Sequence, residues 1–149
     1  MRLSIVCPVY NTPAQLLIEA VASAFVQDAY QECEVILVDD ASTSQDTIGC
    51  LQSLEVTYER IALVRLETNR GPSSARASGI RAASGNWIGF LDSDDRWLPG
   101  ALQQFRRAME IAPEARWIVG YYQILREGWT IERNPSTSDE VVKRLLHQA

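Results

Sequence analysis

The segment WIGFLDSDD, residues 87–95, passes from a short apolar run directly into four polar residues, three of which are aspartates. An apolar run that ends in a polar turn is typical of a strand buried on both faces. The same pattern occurs in SIVCPVYN at residues 4–11 and in EVILVDDAS at residues 34–42, and a further apolar run covers residues 61–66. Because these strands are continuously apolar rather than alternating, they predict a parallel sheet.

Helical patterns lie between the predicted strands. Thr12 is interpreted as a cap before Pro13, and apolar residues then recur at helical spacing as far as Phe25. Further helices are predicted over residues 45–54, 73–83 and 99–111. Strands that alternate with helices predict an α/β fold in which helices flank a mainly parallel sheet.

The last third of the chain continues differently. A strand is predicted at residues 117–125, with a hairpin partner at residues 129–132 and a final amphipathic helix at residues 138–148. We therefore expect a first domain over residues 1–133 and a C-terminal helical extension over residues 134–149.

Composition excludes several classes of protein. The chain has 149 residues, 46% of them hydrophobic, with 14 basic and 19 acidic side chains and a net charge of −5. This balance disfavours nucleic acid as a partner. No apolar run reaches the roughly 18 residues of a membrane span, and the N-terminus lacks a signal-peptide pattern, so a cytoplasmic protein is expected. Three cysteines without a CxxC pair predict neither a disulfide framework nor a zinc site.

The carboxyl ends of parallel strands meet at one edge of a sheet, where ligands of such folds bind. Five carboxylates are expected there, namely Asp39, Asp40, Asp92, Asp94 and Asp95. Their mutual repulsion calls for a cation, and oxygen ligands favour Mg²⁺ or Mn²⁺. Asp92 and Asp94, two residues apart, are the candidate metal ligands. The alternative is that residues 92–95 form a solvated turn that caps the next helix.

Each remaining candidate also has a structural alternative. Tyr10 is either a core residue or a ring that stacks on a base. At least one of Asp39 and Asp40 is expected to cap the following helix or satisfy loop amides, and the functional alternative is a carboxylate that accepts a hydrogen bond from a base or ribose. Arg76 either forms a surface ion pair or reaches the carboxylates or a diphosphate.

Four segments together resemble family 2 glycosyltransferases, which have the GT-A, Rossmann-like fold. They are SIVCPVYN, EVILVDDAS, NRGPSSAR and GNWIGFLDSDD, in this order, and the resemblance covers about residues 2–110. It implies a sugar donor carrying UDP, GDP or dTDP. By this resemblance Pro8 and Tyr10 line the base pocket, Asp40 accepts from the base, and Asp39 lies nearby.

The resemblance also assigns the diphosphate end of the donor. Arg76 would approach the nucleotide, Asp92 would face the ribose or sugar, and Asp94 would hold Mg²⁺ or Mn²⁺. Members of the family invert the anomeric carbon while a carboxylate base deprotonates an acceptor hydroxyl. Ala77 stands where the family often has Asn after the Ala-Arg pair.

The family's base and acceptor-binding part come from a later segment, so no catalytic base is assigned here. The chain is interpreted as an N-terminal, donor-binding portion truncated at its C-terminus. The resemblance implies a glycan or lipid-linked acceptor, bacterial cell-envelope polysaccharide synthesis and only indirect contact with the inner face of the membrane. The alternative function is a non-catalytic nucleotide-sugar-binding module. A dehydrogenase or a P-loop NTPase is disfavoured because GxGxxG and Gly-Lys-Ser/Thr are absent.

Overall fold

The computed structural model describes residues 2–27, 33–116, 118, 120, 122–126 and 129–133. The chain divides into two compact units, Met1–Gln103 and Gln104–Ala149. The elements in chain order are β1 (Leu3–Val9), α1 (Ala14–Phe25), β2 (Cys33–Asp39), α2 (Gln45–Thr57), β3 (Ile61–Arg65), α3 (Pro72–Ala82), β4 (Trp87–Phe90), α4 (Ala101–Ile111), β5 (Tyr122–Arg126) and β6 (Trp129–Arg133).

The first four strands form one sheet in the order β3-β2-β1-β4, and all neighbours are parallel. Ile5, in the centre of β1, is in register with Val35 on one side and Gly89 on the other. The predicted α/β fold with a parallel sheet is therefore confirmed. The apolar runs have this composition because β1 and β2 are internal strands with helices on both faces.

Alternate side chains of β1 and β2 enter two separate cores. Ile5 and Leu37 pack with the buried faces of α1 and α2, including Leu17 and Leu51. The side chains between them, including Val6, pack on the opposite face with Ala75 of α3. Full burial of each such aliphatic side chain stabilises the fold by about 1.5–3 kcal/mol.

Helix α3 approaches the sheet at Gly79. A Cβ atom at this position would lie 2.3 Å from Cγ1 of Val6, closer than real carbon atoms come. Val6 is completely buried and its branched side chain has no free end that can move aside. The glycine therefore allows α3 to lie directly on β1.

Two elements begin two or more residues later than predicted. Helix α4 begins at Ala101 rather than residue 99, because Gly100 has a φ of 79° in a turn closed by Ala101 N donating to Leu98 O. Strand β5 begins at Tyr122 rather than residue 117, and it pairs antiparallel with β6 in a separate sheet. This pairing confirms the predicted hairpin.

Some predictions fall on residues that the structure does not describe. The final helix at residues 138–148 and the extension at residues 134–149 lie outside the described residues, so the domain boundary stays a prediction. Within the described ranges, none of the helices combines the length and the apolar character needed to cross a membrane. The three cysteines are buried thiols.

Candidate functional site

The strand order creates a crevice between the ends of β1 and β4. The chain leaves β1 towards β2 and β3 on one side and later returns to place β4 on the other side. In open parallel sheets, ligands bind at such a switch point, beyond the carboxyl ends of the strands. Here these ends carry Tyr10, Asn11 and Thr12 after β1, and residues 91–95 after β4.

The acidic segment after β4 folds into a tight turn. Asp95 N donates to Asp92 O at 3.0 Å, which makes Ser93 and Asp94 the central residues. Ser93 is buried and Asp94 is exposed. Because α4 begins only at Ala101, the turn does not cap that helix, and the alternative interpretation of the segment as a helix cap is wrong.

Arg76 reaches the acidic turn from the first half of α3. Its Nη2 atom forms an ion pair and hydrogen bond with Asp92 Oδ1, and the two side chains are 31% and 45% exposed. Of the two alternatives for Arg76, the structure thus places it within the carboxylate group. The guanidinium neutralises one carboxylate and fixes its direction.

The turn remains electrostatically negative in spite of Arg76. Partial burial raises the pKa of Asp95, and the neighbouring charges of Asp94 and Asp92 raise it further. Burial together with Asp92 and Asp94 also raises the pKa of the Cys7 thiol, which lies within β1, to about 12. A site with this potential favours a cation or a hydrogen-bond donor.

Asp39 and Asp40 are both buried at the end of β2, and both accept hydrogen bonds from loop amides. Asp39 Oδ1 accepts from Ser42 N at 2.8 Å. Asp40 uses both oxygens, which accept from Arg70 N at 2.9 Å and from Gly71 N at 2.7 Å. Asp39 Oδ2 has no hydrogen-bond partner among the residues that the structure describes, which leaves it as the free acceptor of the pair.

Tyr10 and Pro8 differ in their exposure to solvent. Tyr10 follows the last residue of β1 and is 50% exposed, so its ring is a surface group and not part of the core. Pro8 lies within β1, in register with Val38, and is half-buried. The amide of Asp40 donates to Val9 O at 2.8 Å, which brings the start of the β2–α2 loop alongside Tyr10.

Asn11 joins the loops after β1 and β2, a role that the sequence analysis missed. Its side-chain Oδ1 accepts from the backbone amides of Thr43 and Ser44, both at 2.8 Å. Its backbone amide donates to Ser42 Oγ at 3.0 Å. Asn11 has a φ of 51°, a left-handed conformation that asparagine tolerates better than most residues. The sequence did contain a signal for this role, namely an asparagine directly after the aromatic residue that follows β1.

Thr12 is the second residue whose role was missed. It does not cap α1; instead, Ala14 N donates to Asp46 Oδ2 at 2.9 Å. The Thr12 hydroxyl forms a buried hydrogen bond of 2.7 Å with the hydroxyl of Ser93, across the crevice. Thr12 O accepts from Thr47 Oγ1 at 2.8 Å. The ends of β1, β2 and β4 are thus joined by one set of hydrogen bonds.

The carboxylates of the turn suit a hard cation only in part. No group of three or more His, Cys, Asp or Glu side chains is arranged to hold a metal ion within the described ranges. Asp92 and Asp94 offer oxygen ligands, the type that Mg²⁺ and Mn²⁺ prefer. Mg²⁺ is commonly bound by one or two carboxylates together with substrate phosphates. The residues present therefore fit a cation that shares its ligands with a diphosphate.

Comparison with known proteins finds a matching family profile and similar relatives. The family profile described as "Glycosyl transferase family 2" matches residues 4–147. TuaG of Bacillus subtilis (strain 168), a glycosyltransferase named for teichuronic acid biosynthesis, is 33% identical over 87% of this chain and 50% of its own length.

Two solved structures have a similar fold. S. aureus TarS in complex with UDP-GlcNAc has a TM-score of 0.65 and 30% identity over 74% of this chain and 32% of its own. The mannosyltransferase PcManGT from Pyrobaculum calidifontis, in complex with GDP-Man and Mn²⁺, has a TM-score of 0.65 and 26% identity over 72% of this chain and 32% of its own. This chain therefore spans about half the length of the Bacillus relative and about a third of each solved chain.

Proposed function

Because this chain belongs to glycosyl transferase family 2, we propose that its crevice between β1 and β4 binds a nucleotide-diphosphate sugar for transfer to an acceptor hydroxyl. The GT-A fold expected from the sequence is confirmed by the likeness to the two solved glycosyltransferases. One observation carries the proposal. The carboxyl edge of the sheet carries an exposed aromatic ring after β1, a buried aspartate with a free oxygen at the end of β2 and an acidic turn after β4.

The base would bind at the ends of β1 and β2. Tyr10 supplies an exposed ring for stacking, with Pro8 beneath it in the strand. Asp40 is engaged on both oxygens and so holds the Arg70–Gly71 segment in place. Asp39 Oδ2 is then the oxygen available to accept a hydrogen bond from a base N–H. The resemblance implied this role for Asp40; in this proposal Asp39 accepts from the base while Asp40 holds the loop.

The diphosphate would bind beside the acidic turn. Asp94 and Asp92 are the residues that would hold Mg²⁺ or Mn²⁺, which when bound would neutralise charge on the departing diphosphate. Arg76 places a fixed positive charge next to Asp92 and orients that carboxylate. A guanidinium in this position also suits bidentate contact with phosphate oxygens.

The transfer step follows the inverting chemistry expected of the family. The acceptor oxygen attacks the anomeric carbon as the bond to the diphosphate breaks, and its proton passes to a carboxylate base. No residue of the described ranges is assigned as that base. The acceptor would be a glycan or a lipid-linked sugar, and the enzyme would act in the cytoplasm, at the inner face of the membrane. The relative TuaG, named for teichuronic acid biosynthesis, supports a biosynthetic role for the transfer.

Calorimetric titration of the 149-residue chain with UDP, GDP and dTDP, each with and without Mn²⁺, tests the donor site. We expect one nucleotide to bind in a Mn²⁺-dependent manner. Asp94→Ala should weaken this binding at least about 10-fold, since a direct metal ligand is lost. Glu55→Ala, which removes an exposed carboxylate from α2, is the matched control and should bind as the wild type does.

Equal affinity of Asp94→Ala and wild type would remove Asp94 from the metal site. Folded wild-type chain that binds none of the nucleotides would contradict the donor site itself. Donor hydrolysis measured on the same samples separates a transferase from the alternative, a module that binds the donor without turning it over.

A further inference from the structure

The hydroxyl groups of Thr12 and Ser93 meet on the buried side of the acidic turn, and neither has been given a part in donor or metal binding above. We propose that Thr12 and Ser93 are positioning residues, whose mutual hydrogen bond fixes the turn so that Asp94 is preorganised for a divalent cation and diphosphate. This inference rests on the proposed function. It adds that Ser93, the middle residue of the Asp-Ser-Asp segment, contacts the buried Thr12, while Asp92 and Asp94 on either side are the proposed metal ligands.

The hydrogen bond is buried and long-range. Thr12 Oγ1 and Ser93 Oγ lie 2.7 Å apart, 81 residues apart in sequence, and each residue is 8% exposed. A buried hydroxyl that loses its partner retains the full cost of desolvation. The contact therefore holds the two loops together more firmly than an exposed hydrogen bond would.

Thr12 is the fixed side of this contact. Its carbonyl accepts from Thr47 Oγ1 at 2.8 Å, and Thr47 is completely buried at the start of α2. The preceding residue, Asn11, is held to the β2–α2 loop through Ser42 and Ser44. Thr12 is thus held by the hydrogen bond to its own carbonyl and by the hydrogen bonds of its neighbour Asn11, independently of its contact with Ser93.

The acidic turn is the dependent side. Leu91 N donates to Val6 O at 3.1 Å, after which the turn leaves the sheet. Asp94 makes no hydrogen bond with any residue that the structure describes, so its direction follows from the backbone of Ser93. Arg76 holds Asp92, on the other side of Ser93. The Thr12–Ser93 contact is therefore the buried attachment nearest to Asp94.

Three variants of the full 149-residue chain separate positioning from simple packing. Thr12→Val keeps the shape and removes the hydroxyl, whereas Thr12→Ser removes a methyl group and keeps the hydroxyl. Removal of a partner that orients a metal ligand typically costs ~10–100-fold in metal affinity, so Thr12→Val should weaken Mn²⁺-dependent nucleotide binding about 10-fold and Thr12→Ser should restore it to about wild type. Ser93→Ala should match Thr12→Val.

The second readout is the electron paramagnetic resonance spectrum of Mn²⁺ in the presence of nucleotide. Thr12→Val should broaden the lines of the bound ion, and Thr12→Ser should not. Nucleotide affinity measured without Mn²⁺ should stay unchanged in all three variants. Ser78→Ala is the matched control, because it removes another buried hydroxyl, one that accepts from Arg81 on α3 and makes no hydrogen bond with residues 92–95.

The result that overturns the inference is equal Mn²⁺-dependent affinity of Thr12→Val, Thr12→Ser and wild type. If Thr12→Val fails to fold, the double variant Thr12→Val/Ser93→Ala, which leaves neither hydroxyl without a partner, takes its place with the same expectation. A wild-type chain that binds nucleotide without any effect of Mn²⁺ would overturn both this inference and the metal site. Loss of Mn²⁺ dependence in Asp94→Ala alone would retain the metal site and reject positioning by Thr12.

Discussion

The loops after β1 and β2 are closely cross-linked, whereas the acidic turn after β4 has few attachments. Asn11, Asp39 and Asp40 each accept or donate hydrogen bonds that tie one loop to another or to itself. The turn at residues 92–95 is held through Arg76–Asp92 and Thr12–Ser93. Both regions lie at the same edge of the same sheet, so the difference arises from their local hydrogen bonds and not from their place in the fold.

This difference separates two kinds of aspartate. At the proposed base end, carboxylates are buried and accept hydrogen bonds from backbone amides, so they act first as structural groups. At the proposed diphosphate end, Asp94 is exposed and lies near Asp92 and Asp95. We infer that the proposed base end is held by many contacts, whereas the orientation of Asp94 depends mainly on the single buried contact between Thr12 and Ser93.

The largest effect is expected from the same substitution made in both regions. Asp40→Asn removes the charge and replaces one of the two oxygens that accept from the Arg70 and Gly71 amides with an NH₂ donor. Because hydrogen bonds to charged groups contribute about 1.5–3 kcal/mol each, we expect the free energy of unfolding to fall by about 2–3 kcal/mol. Asp94→Asn should change it by less than about 0.5 kcal/mol, as exposed substitutions usually do.

Urea unfolding of both variants, followed by circular dichroism, measures this contrast. Similar losses in the two variants would mean that the acidic turn is as important for folding as the buried pair. No loss in Asp40→Asn would mean that the Arg70–Gly71 segment finds other acceptors, and the contrast between the regions would not hold.

A smaller effect is expected at Asn11, whose contacts are partly exposed to solvent. Asn11→Ala removes the acceptor of the Thr43 and Ser44 amides and places alanine at a φ of 51°. We expect a loss of about 1–3 kcal/mol in the free energy of unfolding. Asn11→Gly loses the same side chain without the backbone strain, and it should recover about 0.5–1 kcal/mol of that loss.

Asn69→Ala serves as the control for Asn11, since its side chain is exposed and accepts a single hydrogen bond from Gly71 N at 3.2 Å. Its change should stay below about 0.5 kcal/mol. If Asn11→Gly were less stable than Asn11→Ala, the strain attributed to the left-handed backbone would be contradicted.

The sequence predicted the sheet well because the signal is local. Four continuous apolar runs, each ending in a turn, are sufficient to indicate parallel strands with helices on both faces. The strand order could not be predicted from the sequence, since no local pattern tells whether β4 joins the β3 edge or the β1 edge. That order decides which loops meet, and hence that the loop after β1 contacts the acidic turn through Thr12 and Ser93.

The site was predicted in its residue types more than in their roles. At least one of Asp39 and Asp40 was expected to satisfy loop amides, and both accept such bonds. Thr12 has the local pattern of a helix cap, a threonine before a proline, but its partner Ser93 is distant in sequence. A contact between two hydroxyls 81 residues apart leaves no periodicity and no spacing from which it could be inferred.

The smallest effect concerns pH and compares Asp95 in the turn with Glu34 on β2. Partial burial and the charges of Asp94 and Asp92 raise the pKa of Asp95, so the folded chain binds its proton more tightly than the unfolded chain. Stability is then lost as the pH rises through the range between the unfolded and folded pKa values, and the loss persists at neutral pH. Asp95→Asn should therefore stabilise the chain at pH 7, by less than about 0.5 kcal/mol, and have no effect below about pH 3.

Glu34 should show the opposite sign. Burial raises its pKa, but hydrogen bonds from Ser4 and Ser84 outweigh burial, and the net pKa is lowered. Its contribution is present above the unfolded pKa and is lost as the pH falls through the folded one, so Glu34→Gln should destabilise at pH 7 and not in acid. Thermal unfolding of both variants between pH 3 and pH 7 measures the two slopes. Equal signs would mean that the turn at residues 92–95 does not carry the uncompensated negative charge from which its affinity for a cation is argued.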